Sequence, residues 1–489
     1  MVTKISKSYL CLLLLNSCRR QTRYLEEIST TICSYEDLPN QELDNLKQNH
    51  EVVIVMVPFP SQGHLNQLLQ LAYLISSSYD LSVYDVGAAT HNCQARVRSN
   101  AINPSDIEKI HFHDIPTPEF ASPSPIFNAL SKFPSHRKPL WDASLLLREP
   151  IASFLRNISS KERRVVIVHD SLMSYNVQVV SYLNNAESYR FNCLSGFVRI
   201  SCLFSGMSIQ LGQDLLKNLP SLEGSLPDEF RDFRALQGPY MDIRSGDIHN
   251  TSKVIEGEFL DLLVQAESKQ QWEIGPILPT KLDHVSNRNN ICLKWLNKQP
   301  PRSVIYIYFG RTTTFSDSEI MELVVGLEQR KLKFIWVLRE VDRRDIFTGE
   351  ARRFELLEEF EERIKEAGLV VREWAPQPEI LAHSSTGRFM SHCGWNSCIE
   401  RITMGVPISA WPMHADQPRN SFLVTKVLKI GLLVREWEKR EELVSASSIE
   451  NAVRKLMASE EGDAIRKRAE ELGEVVVGFI VNERREWKM

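Results

Sequence analysis

The stretch that most limits what this chain can fold into is 374–417, WAPQPEILAHSSTGRFMSHCGWNSCIERITMGVPISAWPMHADQ. Its middle reads as a short strand over 388–391, then His392, Cys393 and Gly394, then a helix that starts at 395–397. A glycine at a strand-to-helix turn lets the backbone pass close to a ligand. The free N–H groups of the first helical turn, with the dipole behind them, suit a phosphate. Asn396 and Ser397 are expected to cap this helix or to bond the phosphate themselves. Glu400 lies one turn beyond Asn396 on the same face, where a carboxylate can accept from vicinal hydroxyls such as those of a ribose. Trp374 closes the strand LVVREW and offers an indole face to a base. Asp416 and Gln417 follow a second apolar strand and carry the acceptors and donor that sugar hydroxyls need. A strand, a glycine and a helix make a weak anion signature alone, and a single tryptophan is more often core than platform. The constraint lies in the combination.

Upstream, VVIVMVPFP from Val52 is a near-continuous apolar run of the kind a strand buried on both faces shows. It turns at Pro60-Ser61-Gln62-Gly63-His64 into LNQLLQLAYLI, whose leucines recur at helical spacing. LSVYDVG, KIHFHDI and RVVIVHD read as further strands between helical or loop segments, so this half is a doubly wound α/β sheet. Turn formers and charge collect over 275–290. Beyond them, 291–299 reads as a short amphipathic helix, SVIYIYFG as a strand, and 318–330 as a helix. KFIWVLR and LVVREW read as the next strands, with helices over 419–430 and 447–457 after the 374–417 stretch. The expected organisation is one Rossmann-like domain over 49–280 and a second over 281–489, with 1–48 outside the fold. At 489 residues the chain suits two domains of about 200 residues each. The segments 116–134 and 190–244 read as excursions over the mouth of the first domain, where acceptor pockets are usually built.

Composition excludes several classes of function. A net charge of −4 leaves no basic footprint for nucleic acid. Nine cysteines without regular spacing argue for a reducing compartment rather than a disulfide scaffold. The apolar runs fall short of the roughly 20 residues a membrane helix needs. His111 and His113 share a face by strand alternation and are read as structural, and no metal site is expected. Asn250-Thr251-Ser252 matches a glycosylation triplet but carries no meaning in a cytoplasmic protein.

Ligands of open α/β sheets bind beyond the carboxyl ends of strands. His64 follows the first strand and Asp170 ends RVVIVHD. An acceptor alcohol is too weakly acidic to attack unaided; an imidazole can take its proton, and a buried carboxylate on the other ring nitrogen fixes the tautomer. Asp170 is equally placed to cap the helix SLMSYNVQVV, and the two roles are compatible.

The spacing W-A-P-Q, H-C-G-W-N-S, E, G-V-P, W-P, D-Q resembles the plant secondary product glycosyltransferase signature of the family-one UDP-sugar glycosyltransferases. PFPSQGHLNQ, LREPI, HDSLM, GDIHNTSKVIEG and LVSAS extend the likeness over roughly 50–470 and are most like its zeatin O-glucosyltransferase branch. The resemblance implies a GT-B architecture, two facing Rossmann-like domains with parallel sheets and a cleft between them. It implies His64 as general base with Asp170 its partner. Trp374 would stack on uracil, with Ala375 and Gln377 bonding the base edge or the ribose. His392, Asn396 and Ser397 would hold the diphosphate, Glu400 the ribose, and Trp395, Asp416 and Gln417 the sugar.

A Gln at the end of the box is associated with UDP-glucose. The implied activity is inverting transfer of glucose from UDP-glucose, a co-substrate with no further cofactor, to a hydroxyl of a small plant molecule such as the cytokinin zeatin. The implied enzyme is a cytoplasmic monomer without a membrane anchor. In that family the first strand begins near the start, so 1–48 is expected to be an over-extended start rather than a working signal. The alternatives are a catalytically silent sugar-nucleotide-binding protein, or a glucosyltransferase acting on another small alcohol or phenol.

The silent alternative rests on departures from the pattern at Tyr308, Arg311, Arg401 and the tail 474–489. Relatives carry a Ser or Thr at the Arg311 position. The bulk of Tyr308 is expected to displace its strand end and turn Arg311 outward, with Thr312 or Thr313 contacting the donor instead.

Overall fold

Two all-parallel sheets carry the site. The computed structural model describes residues 52–79, 81–99, 109–118, 131–203, 218–278, 290–310, 313, 315–328, 332–338, 364–365 and 367–487, without the side chains of 97–99 and 481–487. The first sheet comprises β1 (Val52–Val57), β2 (Val83–Ala88), β3 (Ile110–Ile115), β4 (Arg164–Asp170), β5 (Ala186–Asn192), β6 (Gly246–His249) and β7 (Gln270–Glu273), in the order β3-β2-β1-β4-β5-β6-β7. Its described helices are α1 (Gln62–Ser78), α2 (Ala89–Ser99), α3 (Lys138–Leu145), α4 (Arg148–Ser159), α5 (Gly196–Leu203), α6 (Asp228–Ala235) and α7 (Lys253–Glu267).

The second sheet repeats the plan with β8 (Val304–Tyr308), β9 (Lys333–Val337), β10 (Gly368–Val371), β11 (Thr386–Ser391), β12 (Ile408–Ala410) and β13 (Gly431–Leu433), ordered β10-β9-β8-β11-β12-β13. It is accompanied by α8 (Ile291–Leu296), α9 (Asp317–Glu328), α10 (Gln377–Ala382), α11 (Trp395–Thr403), α12 (Gln417–Phe422), α13 (Ala446–Ala458) and α14 (Glu460–Trp487).

The central strands are apolar because helices cover both of their faces. Val53, Val55 and Val57 face one core cluster and Ile54 and Met56 another, and all five are buried. Each sheet reverses its strand order once, between β1 and β4 and again between β8 and β11. Crevices at such switch points are where open α/β sheets bind ligands. Val57 pairs with His169 and Tyr308 with Ser391, so His64 and Asp170 flank one switch point and Gly310 and His392 the other.

A third cluster belongs to both halves. Phe197 and Ile200 of α5 and Ile255, Phe259, Leu260 and Leu263 of α7 pack with Trp395, Ile399 and Ile402 of α11, Leu423, Val424 and Val476. Val476 lies on α14, so the segment 474–487, unlike the family's tail in sequence, is helix, and its helix packs against α7 of the first half.

Several expectations are corrected. The strands β5, β6 and β7 were not anticipated: β6 and β7 are four residues each, GDIH and QQWE, too short and polar to show periodicity. The helix SLMSYNVQVV is of the 3-10 type, over Ser171–Tyr182. The helix expected over 419–430 is α12 followed by a π turn at Leu423–Val427. Tyr308 does not displace its strand end, because the ladder is in register at Tyr308–Ser391 and its irregularity falls at the other end, between Thr386 and Arg388. Arg311, Thr312 and 1–48 lie outside the described residues.

Candidate active site

His64 enters the cleft from the first turns of α1, with a quarter of its side chain exposed, and its Nδ1 lies 2.7 Å from Asp170 Oδ2. Asp170, 0% exposed, ends β4 and caps the 3-10 helix through Oδ1, which accepts the Leu172 N–H at 2.9 Å. Asp170 therefore makes both contacts at once. With a carboxylate as acceptor, Nδ1 carries the ring proton and Nε2 keeps its lone pair. The Cys193 thiol also donates to Oδ2, at 3.2 Å, a partner that sequence reasoning missed. Burial opposes the charged imidazolium, but the Asp170 carboxylate outweighs it and raises His64 above its ordinary 6.5. Asp170 is held below the usual carboxylate range against its own burial, chiefly by His64.

Beside the dyad stands an aromatic wall. The Phe59 ring is edge-on to His64 at 5.4 Å and tilted against Phe233 at 5.8 Å. Phe133, Trp141 and Phe230 continue it, with Phe133 reaching the second half at His414, 5.5 Å away. This surface suits a flat or apolar acceptor.

Across the cleft, β11 runs through His392, Cys393 and Gly394 into α11. Cys393 has φ 65° and Gly394 is the N-cap, with no side-chain cap present. Asn396 and Ser397 do not cap the helix, since both are already inside it. The Asn396 side chain instead donates to the Gly63 carbonyl at 2.9 Å and accepts from Gln67, bridging the halves. Gly310, at φ 76°, faces this loop; a Cβ there would sit 2.6 Å from His392 Nε2, so only glycine allows the approach. Burial lowers His392 to about 4, so the ring is neutral near pH 7. Thr313 is half-buried, and its Oγ1 has no hydrogen-bond partner among the described residues.

Trp374 is 55% exposed at the exit of β10, and Ala375 behind it is buried. Gln377, on the first turn of α10, donates to Glu400 Oε2 at 2.6 Å and to Ser397 Oγ at 3.3 Å, which orients the carboxylate. Arg401, the next residue, does not intrude. It is buried on the other side of α11, where it donates to the Val406 carbonyl at 2.9 Å. Trp395 is buried, and its indole N–H donates to the Asn250 carbonyl at 3.0 Å. Asn250 is buried too and donates to Gln67 at 3.0 Å, so the glycosylation triplet is structural.

Asp416 precedes α12. Burial raises its carboxyl to about 6, against hydrogen bonding by its own backbone N–H and by Asn420 and the charge of nearby His64. Gln417 is buried, its Oε1 accepting the N–H groups of Met413 at 2.9 Å and His414 at 3.0 Å. The same loop is tied to the first half where Ala415 N–H donates to the Ser225 carbonyl at 2.9 Å. Lys132 and Glu319 form a nearly buried ion pair at 2.7 Å between the halves. Among the residues expected from sequence, the structure brings His64 to Asp170, and Gln377 to Ser397 and Glu400. Those missed, Gln67, Cys193, Ser195, Asn250, Gly310 and Asn420, carry the contacts among them.

Comparison with known proteins agrees with this geometry. Residues 50–279 match the family described as Glycosyltransferase, N-terminal domain, and 286–464 match that described as UDP-glucoronosyl and UDP-glucosyl transferase. The chain is 50% identical to a zeatin O-glucosyltransferase of Phaseolus lunatus, over 86% of this chain and 91% of the relative. It is 48% identical to a zeatin O-xylosyltransferase of Phaseolus vulgaris, over 87% and 94%. It is 40% identical to cis-zeatin O-glucosyltransferase 2 of Zea mays, over 87% and 93%. Among solved structures, it is similar to Phytolacca americana UGT2 complexed with UDP-2fluoro-glucose and pterostilbene, with a TM-score of 0.69 and 25% identity over 87% of this chain and 94% of that one. The architecture is GT-B. Among the described residues, no helix is long and apolar enough to cross a membrane.

Proposed function

The chain belongs to the UDP-glucoronosyl and UDP-glucosyl transferase family, and from that premise we propose that it is an inverting O-glucosyltransferase that moves glucose from UDP-glucose to the side-chain hydroxyl of a cytokinin such as zeatin. The observation that carries this reading is the His64–Asp170 dyad at one switch point, facing Asp416 across a cleft whose other switch point holds the loop into α11.

In this reading the acceptor lies on the Phe59, Phe133 and Trp141 wall with its hydroxyl at His64 Nε2. Its oxygen attacks the anomeric carbon from the face opposite UDP. The C–O bond to the diphosphate breaks, and the hydroxyl proton passes to Nε2 while Asp170 stabilises the imidazolium. The diphosphate leaves toward the N–H groups of α11, with His392, Asn396 and Ser397 beside it. Trp374, more than half exposed, stacks on uracil over Ala375. Glu400, oriented by Gln377, takes the ribose hydroxyls. Trp395, Asp416 and Gln417 form the sugar side, and Thr313 replaces the family's hydroxyl near the donor. A dyad held at 2.7 Å argues against the silent alternative. The described cysteines are free thiols, which supports a cytoplasmic enzyme.

The test is to offer the purified protein UDP-glucose and UDP-xylose, each with trans- and cis-zeatin. The expected product is a β-O-glucoside, identified by mass and by its anomeric proton coupling. A xyloside as main product would move the donor assignment to xylose, and no product with any of the four pairs would reject the reading. Replacing Glu400 by alanine should weaken UDP binding by about 1–3 kcal/mol through loss of charge-assisted hydrogen bonds. Unchanged affinity in a calorimeter would remove Glu400 from the ribose.

A further inference from the structure

Asn420 is 0% exposed, on α12, one turn beyond Asp416. Its Nδ2 donates to Asp416 Oδ2 at 2.6 Å and to the Cys393 carbonyl at 3.0 Å. Its Oδ1 accepts from Ser195 Oγ at 2.9 Å. Ser195 in turn accepts the Val198 N–H at 3.1 Å at the start of α5, so it is fixed by the first half of the chain. The amide can hold only one orientation, because Ser195 takes its oxygen and the two acceptors take its hydrogens. We infer that Asn420 is a positioning residue for glycosyl transfer: it aims the Asp416 carboxylate at the sugar and ties that aim to the first half through Ser195. This inference rests on the proposed contact between Asp416 and the sugar.

The chemistry follows from the carboxylate's surroundings. Asp416 accepts well from sugar hydroxyls only when ionised, and burial already raises it to about 6. The titratable groups that face it are His64 from α1 and Cys193 after β5. His64 lowers its proton affinity when charged, whereas the buried thiol stays protonated and adds no charge. Beside the residue's own backbone N–H, the Asn420 N–H is the neutral side-chain donor that favours the ionised Asp416 carboxylate, and without it the carboxylate protonates at higher pH.

The test measures UDP-glucose binding against pH without acceptor, so that proton transfer by His64 plays no part. In the wild type, binding weakens as pH falls through about 6. In Asn420→Ala the midpoint should rise by about one pH unit, and kcat/KM for UDP-glucose should fall about 10- to 100-fold. In Asp416→Asn the midpoint should vanish. If Asn420→Ala fails to fold, Ser195→Ala, which frees the amide to turn, should raise the midpoint in the same direction by less. Ser195→Thr, which keeps the hydroxyl, should restore it.

An unmoved midpoint in a folded Asn420→Ala, or UDP affinity falling as far as that of UDP-glucose, would overturn the inference. The second outcome would mean that Asn420 acts through the Cys393 loop. Should Asp416→Asn bind and turn over UDP-glucose like the wild type, the sugar contact itself is wrong. A loss in Asp416→Asn without one in Asn420→Ala would sink only the positioning role.

Discussion

Replacing His64 by alanine is expected to cut glycosyl transfer by about 10²- to 10⁴-fold while UDP affinity stays within about twofold. In the proposed geometry the ring meets the reacting hydroxyl, whereas the proposed donor contacts come from other side chains. Asp170→Asn should lose activity over a similar range, because an amide NH₂ cannot stabilise the imidazolium and can hold the wrong tautomer. The pH profile separates the two causes. The base must be neutral, so kcat/KM rises with pH through the His64 pKa, and the Asp170 carboxylate sets that acid limb above 6.5. Without the carboxylate, burial becomes the leading influence on the ring, with Asp416 and Arg137 opposing each other beside it, so the limb should move to lower pH even as the rate falls. Stopped-assay rates from pH 5 to 9, with UDP binding by calorimetry, check both points. Full activity in His64→Ala would remove the residue from the chemistry.

The largest expected loss of stability comes from Asp247→Ala. Asp247 is buried between Arg190, which is 0% exposed, and Arg244, whose guanidinium donates to its two oxygens at 2.9 and 3.0 Å. Gln271 adds a further donor at 3.0 Å, and Glu267 shares both arginines. Removing one acid leaves buried guanidinium charge poorly compensated, a loss of about 3–5 kcal/mol. Tm should fall by roughly 10 °C. Asp247→Asn, which keeps two acceptor lone pairs, should lose less. The arginines hold the Asp247 carboxyl far below the ordinary range against its burial. Its contribution is therefore present above the unfolded value of about 3.9 and lost as pH falls toward the depressed one. Thermal scans of wild type and Asp247→Ala should converge under strong acid. A variant that melts with the wild type at pH 7 would show that the arginines find other partners.

Sequence made the donor side legible because its chemistry is local. Residues 374–417 supply a tryptophan, a helix start and a carboxylate one turn later, and the resemblance of their combined spacing to the family's signature gave them their expected roles. The dyad was legible for a different reason: β1 and β4 are strongly apolar, His64 stands in the helix that follows one and Asp170 at the end of the other, and the family resemblance gave the pair its roles. What spacing could not reveal is contact between distant segments. Asn250 lies far from Gln67 and Trp395 along the chain, and Ser195 far from Asn420; each is a small polar residue whose meaning exists only once the halves meet. The strands β6 and β7 escaped because four residues with a single large apolar side chain, Ile248 or Trp272, take their conformation from neighbours rather than from their own pattern. Arg401 misled by position alone, since one residue beyond Glu400 on a helix points to another face.

The apolar cluster that α5 and α7 share with α11 and α14 makes the halves interdependent for solubility as well as for shape. Most interfaces between domains of one chain are polar enough for each partner to survive alone. Here a cut near residue 280 would lay bare Phe197, Phe259 and Leu263 on one piece and Ile399, Ile402 and Leu423 on the other. Each fragment would carry a sticky apolar seam of the kind that drives aggregation. Co-expressed fragments should rescue each other, and a nucleotide-binding half produced alone should precipitate or bind hydrophobic dye.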